Sequence, residues 1–186
     1  MSASRIDETK PFIPINIAVL TVSDTRTLEN DTSGDTLVER LTSAGHKLAD
    51  RAIVRDDIAV IGDLLKRWVA QHDIDAIITT GGTGLTGRDV TVEAMRPLFE
   101  KEIDGFSTLF HQVSHGKVGT STIQSRACAG VAHGTFLFAL PGSTGAVKDG
   151  WDEILKYQLD SRHRPCNFVE IMPRLQEHLA QGERKK

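Results

Sequence analysis

The residues TTGGTGLTGRDVT, numbered 79 to 91, join an apolar run to a helix-like one through a glycine-rich turn. Gly82, Gly84 and Gly87 satisfy the pattern G-x-G-x-x-G, and an acidic residue, Glu102, lies twenty residues after the first of them. This is the arithmetic of a dinucleotide-binding turn, but that turn follows the first strand of its unit, and its acidic residue ends the next strand. Here the turn follows the third apolar run, and Glu102 lies in a charged segment without strand character. The sequence therefore argues against a dinucleotide site, and since no Gly-Lys-Ser/Thr follows the glycines, it also excludes a Walker loop.

The segments on either side of this turn alternate between strands and helices. Runs rich in Val and Ile predict buried strands over 15–23 and 74–80, and 47–55 is a further predicted strand. Helical periodicity predicts helices over 36–46 and 56–73. Farther along, the sequence predicts a helix over 90–103 that Pro97 must kink or split, a helical stretch over 105–116, two strands around His133-Gly134, and a helix over 143–163. This alternation predicts an α/β fold with a mostly parallel sheet covered by helices on both faces.

The composition limits the class of protein. A chain of 186 residues with 39% hydrophobic content predicts one globular domain, which we place over 14–175 between a flexible N-terminal arm, 1–13, and a C-terminal tail, 176–186. The net charge of -3 argues against a protein that coats nucleic acid, because neutralising phosphates needs a basic surface. No apolar run is long enough to span a bilayer, and two cysteines are too few for a disulfide framework. We expect a cytosolic protein without nucleic-acid or membrane partners.

The glycine-rich turn has the properties of a phosphate-binding loop. Gly81, Gly82 and Gly84 allow the backbone to approach a ligand closely, and Thr80 and Thr83 add hydroxyl groups. The turn leaves the carboxyl end of a strand and enters a helix, whose first amide groups favour an anion. Open parallel sheets bind their ligands at this edge.

Two aspartates near this edge each allow two readings. Asp89 follows the turn and either caps the next helix or serves as a magnesium ligand, since Mg²⁺ takes one or two carboxylates together with substrate phosphates. Asp56 ends the second predicted strand, where it or Asp57 caps the following helix. If the second and third strands are neighbours, Asp56 and Asp89 face one site. Two carboxylates at one magnesium-phosphate site are the arrangement that nucleotidyl transfer requires.

Several stretches together resemble one known family. They are TTGGTGLTGRDVT, TVSDTR, DTSGD, IQSRACAGVAHGTFLFALPGST and RPCNF, and they extend over 15–168. They are similar to the MoaB/MogA family of molybdenum cofactor biosynthesis proteins. The ending QLDSRHRPCNF resembles the B-type branch of that family more than the MogA branch.

This resemblance implies a fold and an activity. The fold is the molybdopterin-binding fold, a three-layer α/β/α domain that assembles as trimers or hexamers. The activity is adenylylation of molybdopterin: Mg-ATP transfers AMP to the terminal phosphate of the pterin, and pyrophosphate is released. The alternative is a carrier or scaffold that binds molybdopterin without nucleotide chemistry.

The resemblance also implies roles for individual residues. Asp56 and Asp89 are the catalytic carboxylates that meet Mg²⁺ through the phosphates. Nucleotide binding is implied for Thr80, Gly81, Gly82, Thr83 and Gly84, and molybdopterin binding for Ser125, Pro141, Gly142, Ser143, Asp31, Ser33 and Gly34. For the segment 31–34 a helix cap is the competing interpretation, and Thr32 with Asp35 has the spacing of a capping box. Arg88 either meets phosphate oxygens or is a solvated side chain beside the loop, and we favour the second interpretation.

Overall fold

The computed structural model describes residues 5–179, so residues 1–4 of the predicted arm and 180–186 of the predicted tail lie outside it. The strands within this range are β1 (Arg5–Ile6), β2 (Asn16–Val22), β3 (Lys47–Val54), β4 (Ala76–Thr80), β5 (Lys101–Glu102), β6 (Cys128–Ala132), β7 (Thr135–Leu140) and β8 (His163–Arg164). The helices are α1 (Thr32–Ser43), α2 (Ile58–Val69), α3 (Thr91–Met95), α4 (Asp104–Val118), α5 (Thr144–Gly150), α6 (Lys156–Gln158) and α7 (Phe168–Ile171). None of these helices is both long and apolar enough to cross a membrane.

The main sheet has six strands in the order β3-β2-β4-β7-β6-β5. The first four strands run parallel to one another, β6 runs antiparallel to β7, and β5 runs antiparallel to β6. The predicted mostly parallel sheet is therefore confirmed. The segment around Glu102, predicted to lack strand character, forms a short edge strand against Gly130 and Val131. Glu102 is paired there with Arg96. A dinucleotide site is still disfavoured, because Glu102 lies on β5, at the opposite edge of the sheet from β2 and β3.

Helices cover both faces of this sheet and make three layers, as predicted. Along β2, Ile17 and Val19 point to one face, and Ala18 and Leu20 point to the other, since side chains alternate along a strand. The first face packs against α1, α4 and α5, and the second packs against α2 and α3. Loops at the carboxyl edge therefore lead to helices on opposite faces of the sheet.

Helix boundaries follow local sequence signals. Pro97 ends α3, and the chain continues as a 3₁₀ turn over Arg96–Leu98, which agrees with the predicted split. Helix α1 is capped by Asp31, whose carboxylate accepts a hydrogen bond from the amide of Gly34. The capping box predicted from Thr32 and Asp35 is therefore displaced by one residue, because Asp31 takes the cap position.

The N-terminal segment differs from the predicted flexible arm. Strand β1 pairs antiparallel with β8, and the Lys10 ammonium lies 2.5 Å from the Glu170 carboxylate. The Phe12 ring packs against the His46 imidazole at a centroid distance of 5.1 Å. The sequence conceals this order, because two of the three partners, β8 and Glu170, lie more than a hundred residues away.

Candidate active site

A cavity of about 440 Å³ lies at the carboxyl edge of the parallel strands. It brings together most of the residues that the sequence singled out. Those in its lining are Ser33, Asp56, Thr80, Gly81, Gly82, Thr83, Gly84, Asp89, Ser125, Pro141 and Gly142. A cavity of about 460 Å³ lies between α2 and Pro97, and the described residues that line it include no carboxylate.

The two predicted carboxylates meet for a reason that differs from the expected one. Strands β3 and β4 are not neighbours, because β2 lies between them. All three run parallel, so their carboxyl ends still converge at one edge. A Cβ atom added to Gly82 would lie 2.9 Å from the Asp56 carboxylate, which shows how closely the loops after β3 and β4 approach.

Asp56 and Asp57 divide two functions between them. Asp57 caps α2, because its carboxylate accepts hydrogen bonds from the amides of Ala59 at 2.9 Å and Val60 at 3.0 Å. Asp56 is left to line the cavity. Its pKa is raised by burial and by the nearby negative charges of Asp24 and Asp89. A divalent cation at this position would offset that repulsion, so the donor set fits the predicted magnesium ion.

Asp89 does not cap the next helix, and its other predicted role, that of a magnesium ligand in the cavity that it lines, stays a prediction. The cap position of α3 is Val90, and no side chain caps this helix. The Asp89 carboxylate accepts hydrogen bonds from the Thr86 amide at 2.8 Å and the Thr86 hydroxyl at 2.6 Å, and so closes the glycine-rich turn. Burial acts to raise the pKa of Asp89, but these hydrogen bonds outweigh it and lower the pKa. Asp89 is therefore held ionised in the lining of the cavity.

The glycines of the turn serve the packing of the loops more than clearance for a ligand. Gly81 and Gly82 have φ angles of 98° and 64°, a region that favours glycine. An added Cβ would collide with the Val22 carbonyl at Gly81 and with the Thr91 hydroxyl at Gly82. The Thr80 hydroxyl is also engaged, since it donates to the Pro141 carbonyl at 3.1 Å. The turn is thus fixed against its neighbours, while among the described residues the amides of Gly82 and Thr83 donate to no protein acceptor.

Arg126 holds this turn in place, and sequence reasoning missed it. Its Nε donates to the Gly84 carbonyl at 2.8 Å, and its Nη2 donates to the Asp89 carbonyl at 2.9 Å. The same guanidinium is paired with Glu93 on α3. The position of Arg126 beside Ser125 in the stretch IQSRACAG was a sequence signal for it. Its contacts with the turn, however, depend on the tertiary fold, which brings the residues before β6 next to the loop after β4.

Arg88 is 65% exposed, as a solvated side chain would be, but it also lines the cavity and forms an ion pair that the sequence did not predict. Its guanidinium makes a two-pronged ion pair with Asp24, with Nε–Oδ2 and Nη2–Oδ1 distances of 2.9 Å and 2.7 Å. Asp24 in turn accepts a hydrogen bond from the Asp56 amide at 3.2 Å. Asp24 therefore links the loop after β2 to the cavity carboxylate after β3.

The residues assigned to molybdopterin fall into four groups. Ser33 and Gly142 line the main cavity, and Ser143 lines an adjoining cavity of about 300 Å³. Ser125 and Pro141 line both. Asp31 and Gly34 do not line either cavity.

Asp31 is fully buried beneath the site and caps α1. Its carboxylate accepts hydrogen bonds from the Thr21 hydroxyl at 2.7 Å, the Gly34 amide at 3.0 Å and the Arg51 guanidinium at 3.0 Å. The helix-cap interpretation accounts for these contacts of Asp31 and Gly34, and direct contact of either residue with a ligand stays a prediction. Ser143 likewise caps α5 through the Ala146 amide.

No protein-only metal cage exists in the described part of the chain, where no three His, Cys, Asp or Glu side chains are grouped to hold an ion. A metal at this cavity would need ligands from a substrate. This agrees with the ligand preference of Mg²⁺, which is bound by few carboxylates plus phosphates.

Residues 18–161 match the family model described as "Probable molybdopterin binding domain". The chain belongs to this molybdopterin-binding family. Molybdenum cofactor biosynthesis protein B of Escherichia coli K12 is 48% identical over 157 residues, covering 84% of this chain and 92% of that protein. The protein of the same name from Staphylococcus epidermidis RP62A is 46% identical over 78% of this chain and 85% of its own.

Solved structures agree with this assignment. A crystal structure of molybdenum cofactor biosynthesis protein B superposes with a TM-score of 0.81 at 36% identity, covering 90% of this chain and 99% of that one. The tungsten cofactor synthesizing protein MoaB from Pyrococcus furiosus superposes with a TM-score of 0.69 at 36% identity, covering 76% and 91%. The three-layer α/β/α fold is therefore that of the MoaB and MogA proteins.

Proposed function

We propose that this protein acts in molybdenum cofactor biosynthesis by transferring AMP from ATP to the terminal phosphate of molybdopterin, with release of pyrophosphate. The observation that carries the proposal is the placement of Asp56 and Asp89 in one cavity beside the glycine-rich turn. Neither aspartate belongs to an ion pair within the described residues, so both charges remain for a ligand. The names of the relatives support the pathway, and the geometry supports the reaction.

The glycine-rich turn supplies the nucleotide side of the reaction. Its Gly82 and Thr83 amides have no protein acceptor among the described residues, and such groups at the carboxyl edge of a parallel sheet bind phosphate oxygens. Arg126 and the Asp89–Thr86 hydrogen bonds keep the turn in one conformation. The loop therefore needs little rearrangement on binding.

The carboxylates of Asp56 and Asp89 would hold a magnesium ion together with the phosphates of ATP. When bound, this ion neutralises charge on the phosphates and fixes their orientation for in-line displacement. Burial and then the negative charges of Asp24 and Asp89 raise the pKa of Asp56, while Arg88 acts in the opposite direction; a bound cation would offset the repulsion among the carboxylates.

The adjoining cavity supplies the acceptor side. Ser125, Pro141 and Ser143 in its lining would contact the pterin, whose terminal phosphate then faces the nucleotide. An oxygen of that phosphate attacks the α-phosphorus of ATP, and the bond from this phosphorus to the β-phosphate oxygen breaks. The attacking oxygen is already anionic, so the site needs no strong general base and acts by positioning and charge neutralisation.

The direct test is an anaerobic assay with the full-length protein, molybdopterin, ATP and Mg²⁺. We expect adenylylated molybdopterin and pyrophosphate in equal amounts, and no product when Mg²⁺ is chelated. Binding of molybdopterin without AMP transfer would contradict the proposal and support a carrier. Calorimetric titration with Mg-ATP separates the same alternatives, because a carrier has no reason to bind a nucleotide.

We further propose that the chain forms homotrimers or homohexamers, as its family resemblance implies. Ile123 and Val118, in and before the 3₁₀ turn that follows α4, expose 74% and 53% of their surface. Exposed apolar side chains of this size are typical of contact surfaces when they lie together.

A further inference from the structure

The cavity contains a second arginine besides Arg88, and its environment is different. Arg26 follows β2, its amide donates to the Ser23 hydroxyl at 3.2 Å, and its side chain lines the main cavity with 30% of its surface exposed. Its guanidinium lies between the loop that enters α1 and the loop that follows β7. It contacts Asn30 in the first loop, Thr32 at the start of α1 and Gly142 in the second loop.

The hydrogen bonds of Arg26 leave much of its donor capacity unused. Its Nη1 donates to the Thr32 hydroxyl at 3.1 Å and the Asn30 carbonyl at 3.4 Å, and its Nη2 reaches the Gly142 carbonyl only at 3.5 Å. Strong N–H···O bonds are shorter, at about 2.9 Å, and a guanidinium has about five N–H donors. Long contacts of this kind hold the side chain in place without saturating it.

The charge of Arg26 is also poorly compensated. Its closest carboxylate, Asp31, lies 3.9 Å from Nη1 and already accepts hydrogen bonds from Arg51, Thr21 and Gly34. Arg88 provides the contrast, because its ion pair with Asp24 has an Nη2–Oδ2 distance of 2.6 Å. Within the described lining of the cavity, Arg26 is thus the arginine available to an anionic ligand.

This positive charge and the acidic residues lie on loops of the same cavity that lead to helices on opposite faces of the sheet. Asp56 and Asp89 lie on the loops that enter α2 and α3, which cover one face of the sheet. Arg26 contacts the start of α1, whose Thr32 hydroxyl lies 3.2 Å from the Thr144 hydroxyl of α5, and both helices cover the other face. The adjoining cavity is lined by residues of α4 and α5 on that same face.

We propose that Arg26 binds the phosphate monoester of the acceptor substrate and positions it for attack. A metal-bridged triphosphate fits the acidic side of the cavity, and an acceptor that is itself a phosphate needs a separate cation on the opposite side. Arg26 supplies that cation with a planar fork that matches a phosphate in two places. The identity of the acceptor as molybdopterin rests on the proposed function, whereas recognition of its phosphate does not require AMP transfer.

The test measures binding without ATP, so that it is independent of catalysis. The full-length protein is titrated anaerobically with molybdopterin and with molybdopterin from which a phosphatase has removed the phosphate. We expect the wild type to prefer the phosphorylated ligand by at least about 10-fold, the value of one charge-assisted contact. Arg26→Gln should weaken binding of the phosphorylated ligand by about that factor and leave the dephosphorylated ligand within about 2-fold.

Two further variants make the result specific. Arg26→Lys keeps the charge without the planar fork and should retain part of the preference for the phosphorylated ligand. This variant still tests the inference if Arg26→Gln fails to fold. Arg88→Gln, the matched control in the same cavity, should keep the preference, because Asp24 already engages that side chain. Full preference in Arg26→Gln, equal loss for both ligands, or equal loss in Arg88→Gln would overturn the inference. A protein that shows the expected pattern yet never transfers AMP would refute the proposed function alone.

Discussion

At the scale of single residues, neighbouring aspartates do different things. Asp57 satisfies two amides at the start of α2, and Asp56 faces the cavity with a pKa raised by burial and by other carboxylates. The sequence located this pair but did not choose between its members, because both precede the same helix. The choice depends on the backbone direction at Asp57, where φ is -144°.

This division predicts opposite consequences for two substitutions. Asp56→Asn should lower kcat for AMP transfer by about 100-fold or more, because a metal-bound charge is lost. It should leave the free energy of unfolding unchanged or slightly higher at neutral pH, because the repulsion with Asp24 and Asp89 is removed. Steady-state kinetics and chemical denaturation measure the two quantities.

Asp57→Ala is the matched control. Loss of the cap should lower the free energy of unfolding by about 1 kcal/mol and leave kcat close to that of the wild type. Equal kcat losses in both variants would show that the two aspartates act through the helix and not through a metal.

At the scale of elements, the turn between β4 and α3 depends on a distant arginine. Arg126 precedes β6 and reaches the carbonyls of Gly84 and Asp89 together with the Glu93 carboxylate. Sequence patterns identified the turn from its glycines but not this support, because its geometry follows from the pairing of β6 with β7. A candidate phosphate loop was therefore predictable, and its rigidity was not.

Arg126→Lys tests this support. One ammonium group cannot span three acceptors, so we expect faster amide exchange over 83–90 and a KM for ATP raised by about 10-fold. The free energy of unfolding should fall by about 1–3 kcal/mol. Arg96→Lys, which alters a half-exposed ion pair with Glu102, is the control and should change stability by less than about 1 kcal/mol. Unchanged exchange in the loop of Arg126→Lys would contradict the role.

His46, which packs against Phe12 of the N-terminal segment, makes a pH-dependent contribution to stability. His46 is 5% exposed, its Nδ1 accepts a hydrogen bond from the Ile15 amide at 3.3 Å, and burial lowers its pKa from 6.5 to about 4. Between these values the unfolded chain binds a proton that the folded chain excludes. Folding stability contributed by neutral His46 is therefore present above pH 6.5 and is lost as the pH falls towards about 4.

His46→Asn should reduce that loss. The amide oxygen of asparagine can still accept from the Ile15 amide and does not titrate, so the decline between pH 6.5 and 4 should shrink by roughly 2–3 kcal/mol. Denaturation curves across this range measure it, with the exposed His72→Asn as control. If the free energy of unfolding falls equally with pH in the wild type and in His46→Asn, a group other than His46 causes the acid sensitivity.

At the scale of the whole molecule, the alternation of strands and helices was enough to predict the layers and the edge at which the cavity lies. It did not predict the order of the strands, since β2 lies between the two strands whose following loops carry Asp56 and Asp89. The contacts of the N-terminal segment with β8 and Glu170 are equally long-range. Patterns within a window predict elements, whereas pairings between distant segments emerge from packing.

The proposed assembly is tested by sedimentation. We expect a mass of three or six chains for the wild type. Ile123→Asp should shift it towards smaller species, because it places a charge on the most exposed large apolar side chain of the described residues. Leu179→Asp, another exposed apolar position, is the control and should keep the wild-type mass. A monomeric wild type would contradict the proposal.

The proposed AMP transfer depends on one divalent ion shared by the loops after β3 and β4. A crystal structure with Mn²⁺ and a non-hydrolysable ATP analogue tests this directly, because manganese is located by its anomalous scattering. We predict a single manganese peak in the cavity, bound to nucleotide phosphates and to Asp56 and Asp89 directly or through one water. A nucleotide bound elsewhere, or a metal that contacts neither carboxylate, would contradict the mechanism.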